Sequence, residues 1–172
     1  MSEDKYVELA RKTIDSYVRK GKVIDVPEGL PEEMLSKQAG AFVSLHRNGR
    51  LRGCIGTISA TQPSVAKEII SNAISASTRD PRFPAMTPDE LEDLEISVDV
   101  LGQAEEIDSI DELDVKRYGV IVTKGWKRGL LLPDLEGVDS PQQQVQIALM
   151  KAGLSPDETG YTLERFEVIR HI

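Results

Sequence analysis

The dipeptide Asn48-Gly49 constrains the fold of this chain most, because it joins two short apolar, β-prone runs at 41–45 and 51–58. Asn-Gly between such runs is the strongest short-range signal of a tight β-hairpin. The return strand holds the run Leu51–Thr57, LRGCIGT, which contains the only cysteine of the sequence. Glycine inside a strand often marks a bulge or a close approach to the backbone. The sequence therefore predicts a hairpin whose second strand carries a thiol between two glycines.

Length and composition are those of an ordinary globular protein. The 172 residues, 40% hydrophobic and 29% charged, fit one domain, or one domain with two lobes around a cleft. A formal net charge of −8 argues against broad binding to nucleic-acid backbones, which needs a basic surface. The N-terminus lacks a signal-peptide pattern, and no apolar run approaches the roughly 20 residues that cross a bilayer. We therefore expect a cytoplasmic protein that binds neither nucleic acid nor membranes.

Periodic spacing of apolar residues predicts both helices and strands. The predicted helices are 6–18, ending at Gly21; 65–77, with Pro63 in the first turn; and a third from Ser140 to Gly153. The predicted strands after the first hairpin are 95–101, 119–123, 129–132 and 161–169. Residues 22–39 are predicted to be a loop or arm. The segment Thr87–Glu90 has the pattern of a capping box, which opens a short helix.

The mixture of helices with at least two hairpins indicates an α+β fold. Tight hairpins require antiparallel neighbours, and the pattern shows no regular strand–helix–strand alternation of a parallel sheet. We expect antiparallel or mixed sheets with flanking helices in a single domain over 1–172. Within that domain, 1–38 is expected to form an N-terminal helix and arm, and 39–172 the core that bears the Leu51–Thr57 run.

The hairpin register predicts the surroundings of Cys54. A two-residue turn places Cys54 opposite Val43, and side chains directly opposite lie on one face. Cys54 is then expected to share that face with Arg52, while His46 lies on the other face, so a Cys–His pair requires a bulge. A nearby arginine favours the reactive thiolate. The alternative is that Cys54 is a small buried hydrophobe, a common role of cysteine outside disulfides.

Arginines near the cysteine and in the loop 78–84 form a candidate anion site. Arg47 and Arg50 fit a solvated hairpin tip, whereas Arg52 is the better candidate for binding. Pro81 keeps the preceding residue out of helical conformation, so the loop either presents its charges to a cleft or is held by an internal Arg–Asp pair. The candidate site is Cys54 as the catalytic thiol, with Arg52, Gly53, Gly56, Arg79, Asp80 and Arg82 as ligand-binding or cleft residues.

Motifs for metals and common cofactors are missing from the sequence. His46 and His171 are far apart, and there is no Cys-x-x-Cys, His-Glu-x-x-His or calcium-loop pattern. Phosphate-binding glycine loops and the Gly-x-Ser-x-Gly nucleophile elbow are also missing. We therefore expect neither a metal site nor a cofactor.

The run Leu51–Thr57 resembles the signature of the AMMECR domain family. Further segments that resemble the family, in the family's order, are 40–45, 80–84, 96–101, 129–133 and 151–154. The resemblance extends from about Ala39 to the C-terminus. It implies an α+β fold of two unequal lobes with antiparallel sheet, so the expected fold is a two-lobed single domain. No biochemical activity is established for the family, and the resemblance therefore implies no reaction.

Segments 132–139 and 167–171 resemble the bacterial branch of the family, named AmmeMemoRadiSam system protein A. Its members are associated with a Memo-like protein, related to class III extradiol dioxygenases, and with a radical S-adenosylmethionine protein. The resemblance implies an accessory or binding component that acts with those partners or on a small anionic ligand. The alternative is an enzyme that uses Cys54 as nucleophile or radical acceptor. Many members carry a second cysteine before the segment 151–153, but this chain has none there, which argues against a two-cysteine mechanism.

Overall fold

The computed structural model describes residues 3–172. Contacts divide the chain into two compact units, one of the described residues up to Leu101 with Ile169–Ile172, and one of Gly102–Val168. The N-terminal helix and arm therefore belong to the first unit. A single domain over the whole chain stays a prediction.

Helices and strands are interspersed along the described chain. In order they are α1 (Lys5–Lys20), α2 (Glu32–Ser36), β1 (Ala41–Arg47), β2 (Arg50–Gly56), α3 (Val65–Thr78), β3 (Leu94–Leu101), β4 (Glu105–Ile107), β5 (Gly119–Lys124), β6 (Lys127–Leu131), α4 (Pro141–Lys151), β7 (Thr162–Phe166) and β8 (Val168–His171). Short 3₁₀ turns lie at Pro88–Asp93 and Ile110–Glu112. None of the helices in residues 3–172 has the length and apolar character needed to cross a membrane.

The first unit packs helices on a sheet with strand order β2-β1-β3-β8. Strand β1 runs antiparallel to both β2 and β3. Helix α1 begins at its N-cap Asp4, whose carboxylate accepts the backbone N–H of Tyr6, and it ends at Gly21 in the left-handed conformation. Helices α1 and α3 contact each other and bury a common core against β1 and β3. The predicted first helix and its stop are confirmed.

Helix α3 begins two residues later than the proline signal suggested. Ser64 is the N-cap, and its hydroxyl accepts the N–H of Lys67 at 3.2 Å. Pro63 therefore precedes the helix instead of occupying its first turn, because a serine cap satisfies a free N–H that proline cannot. The predicted apolar stripe is buried as expected, comprising Val65, Ile69, Ile70, Ala73, Ile74 and Ser77.

Two further segments differ from the sequence prediction. The arm 22–39 contains the short helix α2, which forms because it buries Met34 completely in the hydrophobic core of the first unit. The final strand predicted over 161–169 is interrupted at Glu167, and its halves β7 and β8 join different sheets. Periodicity alone does not reveal such a change of partner.

The second unit packs α4 on a sheet with strand order β4-β7-β5-β6. Its pairs β4–β7, β5–β6 and β5–β7 are antiparallel. The β5–β6 hairpin turns at Gly125, which has φ +61°, and Ser140 caps α4 through the N–H of Gln143. The predicted second hairpin and third helix are confirmed. Together the two units confirm an α+β fold with antiparallel sheets and flanking helices.

Candidate functional site

A bulge in β2 decides which face of the sheet carries Cys54. The pairing of β1 with β2 shifts by one residue between Leu45 and His46. Cys54 therefore lies opposite Ser44 and not opposite Val43. The prediction that Cys54 shares the face of Val43 is wrong, because the extra residue reverses the alternation of side chains. His46 lies two residues along β1 from Ser44, on the face of the thiol.

The loop after α3 forms hydrogen bonds with both backbone polar groups of Cys54. The Cys54 N–H donates to Asp80 Oδ2 at 3.0 Å, and its carbonyl accepts Nη2 of Arg82 at 3.3 Å. Its half-buried Sγ lies 3.2 Å from Oγ of Ser44, where either group can donate. We name Ser44, Cys54, Asp80 and Arg82 the Cys54 cluster.

Asp80 is the centre of the cluster and is 4% exposed. Its Oδ1 accepts the backbone N–H and Nε of Arg82, both at 3.0 Å, and its Oδ2 accepts Nη2 of Arg82 at 2.7 Å. These bonds outweigh desolvation and hold the pKa of the Asp80 carboxyl well below its usual range. The loop is thus held by an internal Arg–Asp pair, one of the two alternatives that the sequence left open.

The arginine that interacts with the thiol is Arg82. Hydrogen bonding to Asp80 raises the pKa of Arg82, and the charge of a Cys54 thiolate adds to that rise. Arg52, the expected neighbour, instead donates Nε and Nη2 to the Glu90 carboxylate at 2.7 and 3.0 Å. The bulge places Arg52 beside the 3₁₀ turn, and the sequence assigned Glu90 only a capping role.

Glu90 joins the 3₁₀ turn to the first hairpin. It accepts the N–H of Thr87, which confirms the capping box, and also binds Nη1 of Arg47 at 3.1 Å. Hydrogen bonding from Arg52 lowers the pKa of Glu90 to about 2, against the effect of desolvation. Arg47 also pairs with Asp93, so it is part of an ion-pair network and not a solvated tip.

Packing accounts for both glycines of the Leu51–Thr57 run. A Cβ at Gly53 would lie 2.2 Å from the backbone oxygen of Ala76, because α3 crosses β2 there. A Cβ at Gly56 would lie 2.2 Å from the ring of Phe42, its partner across the strand pair. A role of these glycines in binding a ligand stays a prediction.

Arg79 and Asp80 are adjacent in sequence but line different places. The backbone N–H of Arg79 caps α3 by bonding to Ser75, and its exposed side chain lines a groove with Tyr17 and Ile74. The side chain of Asp80, by contrast, contacts Cys54 and Arg82 within the Cys54 cluster. The structure thus groups Cys54, Asp80 and Arg82, and leaves Arg79 out.

Phe83 connects Arg52 to the cluster. The guanidinium carbons of Arg52 and Arg82 lie 5.9 and 5.4 Å from the centre of its ring, within range of a cation–π interaction.

Residues 3–172 contain no group of three or more His, Cys, Asp or Glu side chains that is arranged to hold a metal ion.

Comparison with known proteins places this fold in a family. The chain matches the AMMECR1 family over residues 7–171. A protein of Thermotoga maritima is 52% identical over 172 residues, which is 99% of each chain. A protein of Clostridium acetobutylicum is 49% identical over 98% of this chain, which spans 36% of that longer protein. The crystal structure of an uncharacterised protein from Pyrococcus horikoshii is similar with a TM-score of 0.90 at 33% identity, covering 96% of this chain and 88% of that one. The chain belongs to the AMMECR1 family.

Proposed function

We propose that this protein is an accessory binding component of a cytoplasmic assembly with a Memo-like protein and a radical S-adenosylmethionine protein. The Cys54 cluster and Arg52 present a rigid surface to a partner or to a small anionic ligand. The resemblance of segments 132–139 and 167–171 to the bacterial branch of the family supports the choice of partners.

The observation that carries this proposal is that the carboxylates of the candidate site are already bound within the first unit. Asp80 accepts hydrogen bonds from Cys54 and Arg82, and Glu90 holds Arg52 with two bonds. A general acid or base works best with a pKa near the operating pH. The pKa values of Asp80 and Glu90 lie far below neutrality, so these groups suit fixed recognition better than proton transfer.

The lengths of the relatives support a component that works beside another protein. The Thermotoga maritima relative is matched over 99% of its length. In the Clostridium acetobutylicum relative the chain accounts for 36% of the length, so most of that protein lies outside the match. A fold that occurs both by itself and within a longer polypeptide is consistent with a binding module.

Trp126 is a candidate contact with a partner. It is 88% exposed at the tip of the β5–β6 hairpin, with Nζ of Lys127 at 5.6 Å from the centre of its ring. Exposed tryptophan is unfavourable in water and is enriched among residues that dominate protein interfaces. We expect this side chain to be covered in the assembly.

Co-purification tests the proposal. The tagged chain is co-expressed with the Memo-like and radical S-adenosylmethionine proteins of the same organism, and wild type is expected to retain at least one of them at micromolar concentration. Trp126→Ser is expected to weaken retention, whereas Ile172→Ser, which changes another highly exposed apolar residue, leaves it unchanged. Absence of any association for the wild type contradicts the proposal.

A second candidate function is catalysis by Cys54 on a small anionic substrate, as nucleophile or radical acceptor. The observation that favours it is the position of Arg82, whose Nη2 donates to the Cys54 carbonyl at 3.3 Å and whose pKa is raised in part by the charge of a Cys54 thiolate. Because the interaction acts on both partners, Arg82 also stabilises the thiolate, the reactive form of cysteine. Ser44 Oγ, at 3.2 Å from Sγ, adds a hydrogen-bonding group.

Alkylation of the single cysteine separates the two functions. The rate of modification by iodoacetamide is measured against pH on the folded protein, with mass spectrometry as the readout. Catalysis predicts reaction near neutral pH, with the profile moved to higher pH in Arg82→Gln but not in Arg50→Gln, an exposed arginine at the hairpin tip. A cysteine that reacts only after denaturation excludes Cys54 as a nucleophile.

A further inference from the structure

A second candidate site lies in the first unit and shares no residue with the Cys54 cluster. It is a groove of about 410 Å³, lined by Tyr17 of α1, the segment 23–26 and residues of α3 that include the nearly buried Ile70 and Ile74. Pockets of this size are typical of small-molecule sites. The groove is independent of the proposed function.

The groove has an apolar floor and an exposed apolar wall. Ile70 and Ile74 lie four positions apart on α3, so they occupy the same face of the helix. Val23, which also lines the groove, is 55% exposed. A ligand with an apolar body would cover Val23 and remove that surface from water.

The charges that line the groove favour an anion. Lys67 and Arg79 both line it, and neither side chain has a hydrogen bond or ion pair with any residue between 3 and 172 that the structure describes. Asp25 also lines the groove, so two cations face one carboxylate. The chain as a whole has a net charge of −8, so this excess of positive charge is local to the groove.

Arg79 is the better anion-binding group of the two cations. Lys67 and Arg79 are twelve positions apart, about 18 Å between backbones along a helix axis, so they lie toward different ends of the groove lining contributed by α3. The planar guanidinium of arginine can hold a carboxylate through two parallel hydrogen bonds, whereas lysine acts as a point charge. Ile74 and Tyr17 line the same groove and supply apolar surface for the rest of the ligand.

We propose that this groove binds an amphipathic carboxylate, with the carboxylate on Arg79 and the apolar chain against Ile70, Ile74 and Val23. Two cations and one carboxylate line the groove, so their charges match a ligand with one negative charge. Lys67 and Asp25 modulate binding through their fields, with opposite signs.

Binding is tested by nuclear magnetic resonance titration of the isotope-labelled full chain with octanoate. Amide shifts are expected for 23–26 and 62–79, with a dissociation constant on the order of a millimolar for a ligand of this size. Neutral octanamide, of matched shape, is expected to bind several-fold more weakly, and acetate not measurably. Equal affinity for octanoate and octanamide overturns the proposal, as do shifts confined to other parts of the chain.

Four exposed substitutions test the assignment of charges. Arg79→Gln is expected to raise the dissociation constant for octanoate only about threefold, because exposed ion pairs are weak. Lys67→Gln is expected to raise it by less, because the carboxylate is placed on Arg79. Asp25→Asn is expected to lower it, since a repelling carboxylate is removed. Arg50→Gln, outside the groove, is the control. If Arg79→Gln and Asp25→Asn change affinity in the same direction, or if Lys67→Gln has the larger effect of the two cations, the proposal is wrong.

Discussion

The backbone N–H of Cys54 donates a hydrogen bond to the buried carboxylate of Asp80, with 3.0 Å between N and Oδ2. This bond joins the middle of β2 to the loop that follows α3. Arg82 completes the link, because it binds the same carboxylate and the carbonyl of Cys54. The Leu51–Thr57 run and the segment 80–84, both of which resemble the family, are therefore joined by hydrogen bonds.

Replacing the central carboxylate is expected to destabilise the first unit. Asp80→Asn keeps the shape but removes the charge that strengthens the bonds from Arg82 and Cys54, so the free energy of unfolding is expected to fall by about 2 kcal/mol. Urea denaturation followed by circular dichroism measures it. Asp15→Asn, which breaks the exposed pair with Arg19, is the matched control and should change stability by less than about 0.5 kcal/mol. Equal effects would contradict a central role for Asp80.

The two glycines of the LRGCIGT run are expected to differ in their tolerance of alanine. Gly53→Ala places a Cβ against the backbone of α3, which cannot move without displacing the helix, so we expect a loss of about 3 kcal/mol. At Gly56 the three nearest atoms to an added Cβ belong to the ring of Phe42, a half-buried side chain that can change its χ1 rotamer, so we expect about 1 kcal/mol.

A double-mutant cycle checks the reason for the smaller loss. In a Phe42→Ala background the effect of Gly56→Ala is expected to approach zero, because the obstructing ring is gone. An unchanged effect of Gly56→Ala in that background would show that the ring is not the obstacle.

Glu90 is expected to make stability depend on pH in the acid range. Its folded pKa of about 2 lies below the ordinary 4.5, so its stabilising effect is complete above pH 4.5 and is lost as the pH falls toward 2. Glu90→Gln is therefore expected to lower stability by about 2 kcal/mol at pH 7, a value reduced for partial exposure, and by much less at pH 2.5. Urea denaturation at both pH values measures the difference.

A neighbouring carboxylate provides the control for that pH dependence. Glu92→Gln removes an exposed carboxylate from the same 3₁₀ turn. It is expected to leave the free energy of unfolding unchanged at both pH values. A loss for Glu90→Gln that stays constant between pH 7 and 2.5 would show that the ion pair with Arg52 is not its cause.

The C-terminus is expected to stabilise the start of α1. The His171 ring stacks on Tyr6 with 3.7 Å between ring centres, and its Nδ1 lies 2.9 Å from Oδ2 of Asp4, the N-cap. His171→Ala is therefore expected to reduce the free energy of unfolding by about 1 kcal/mol. Ile172→Ala changes the adjacent residue, which is 83% exposed, and is expected to have no effect. Equal stabilities of the two variants would contradict the contact.

Much of the local structure could be predicted because its causes are local. The Asn48-Gly49 turn, the Ser140 cap and the Gly21 stop each act within a few residues, and all are present in the structure. The site was predicted less well. Asp80 and Arg82 form their pair within one loop, but Arg52 binds Glu90, which is 38 positions away, and no local pattern connects the two.

The α+β class, the two hairpins and the buried stripe of α3 follow from the amino-acid sequence, because turn chemistry and periodic apolar positions act over short distances. The face on which Cys54 lies depends on contacts between distant segments. In the register that the bulge sets, Gly53 packs against the backbone of Ala76 and Arg52 forms hydrogen bonds with Glu90. Both contacts are made between segments distant in sequence, so the register follows from packing and not from the turn.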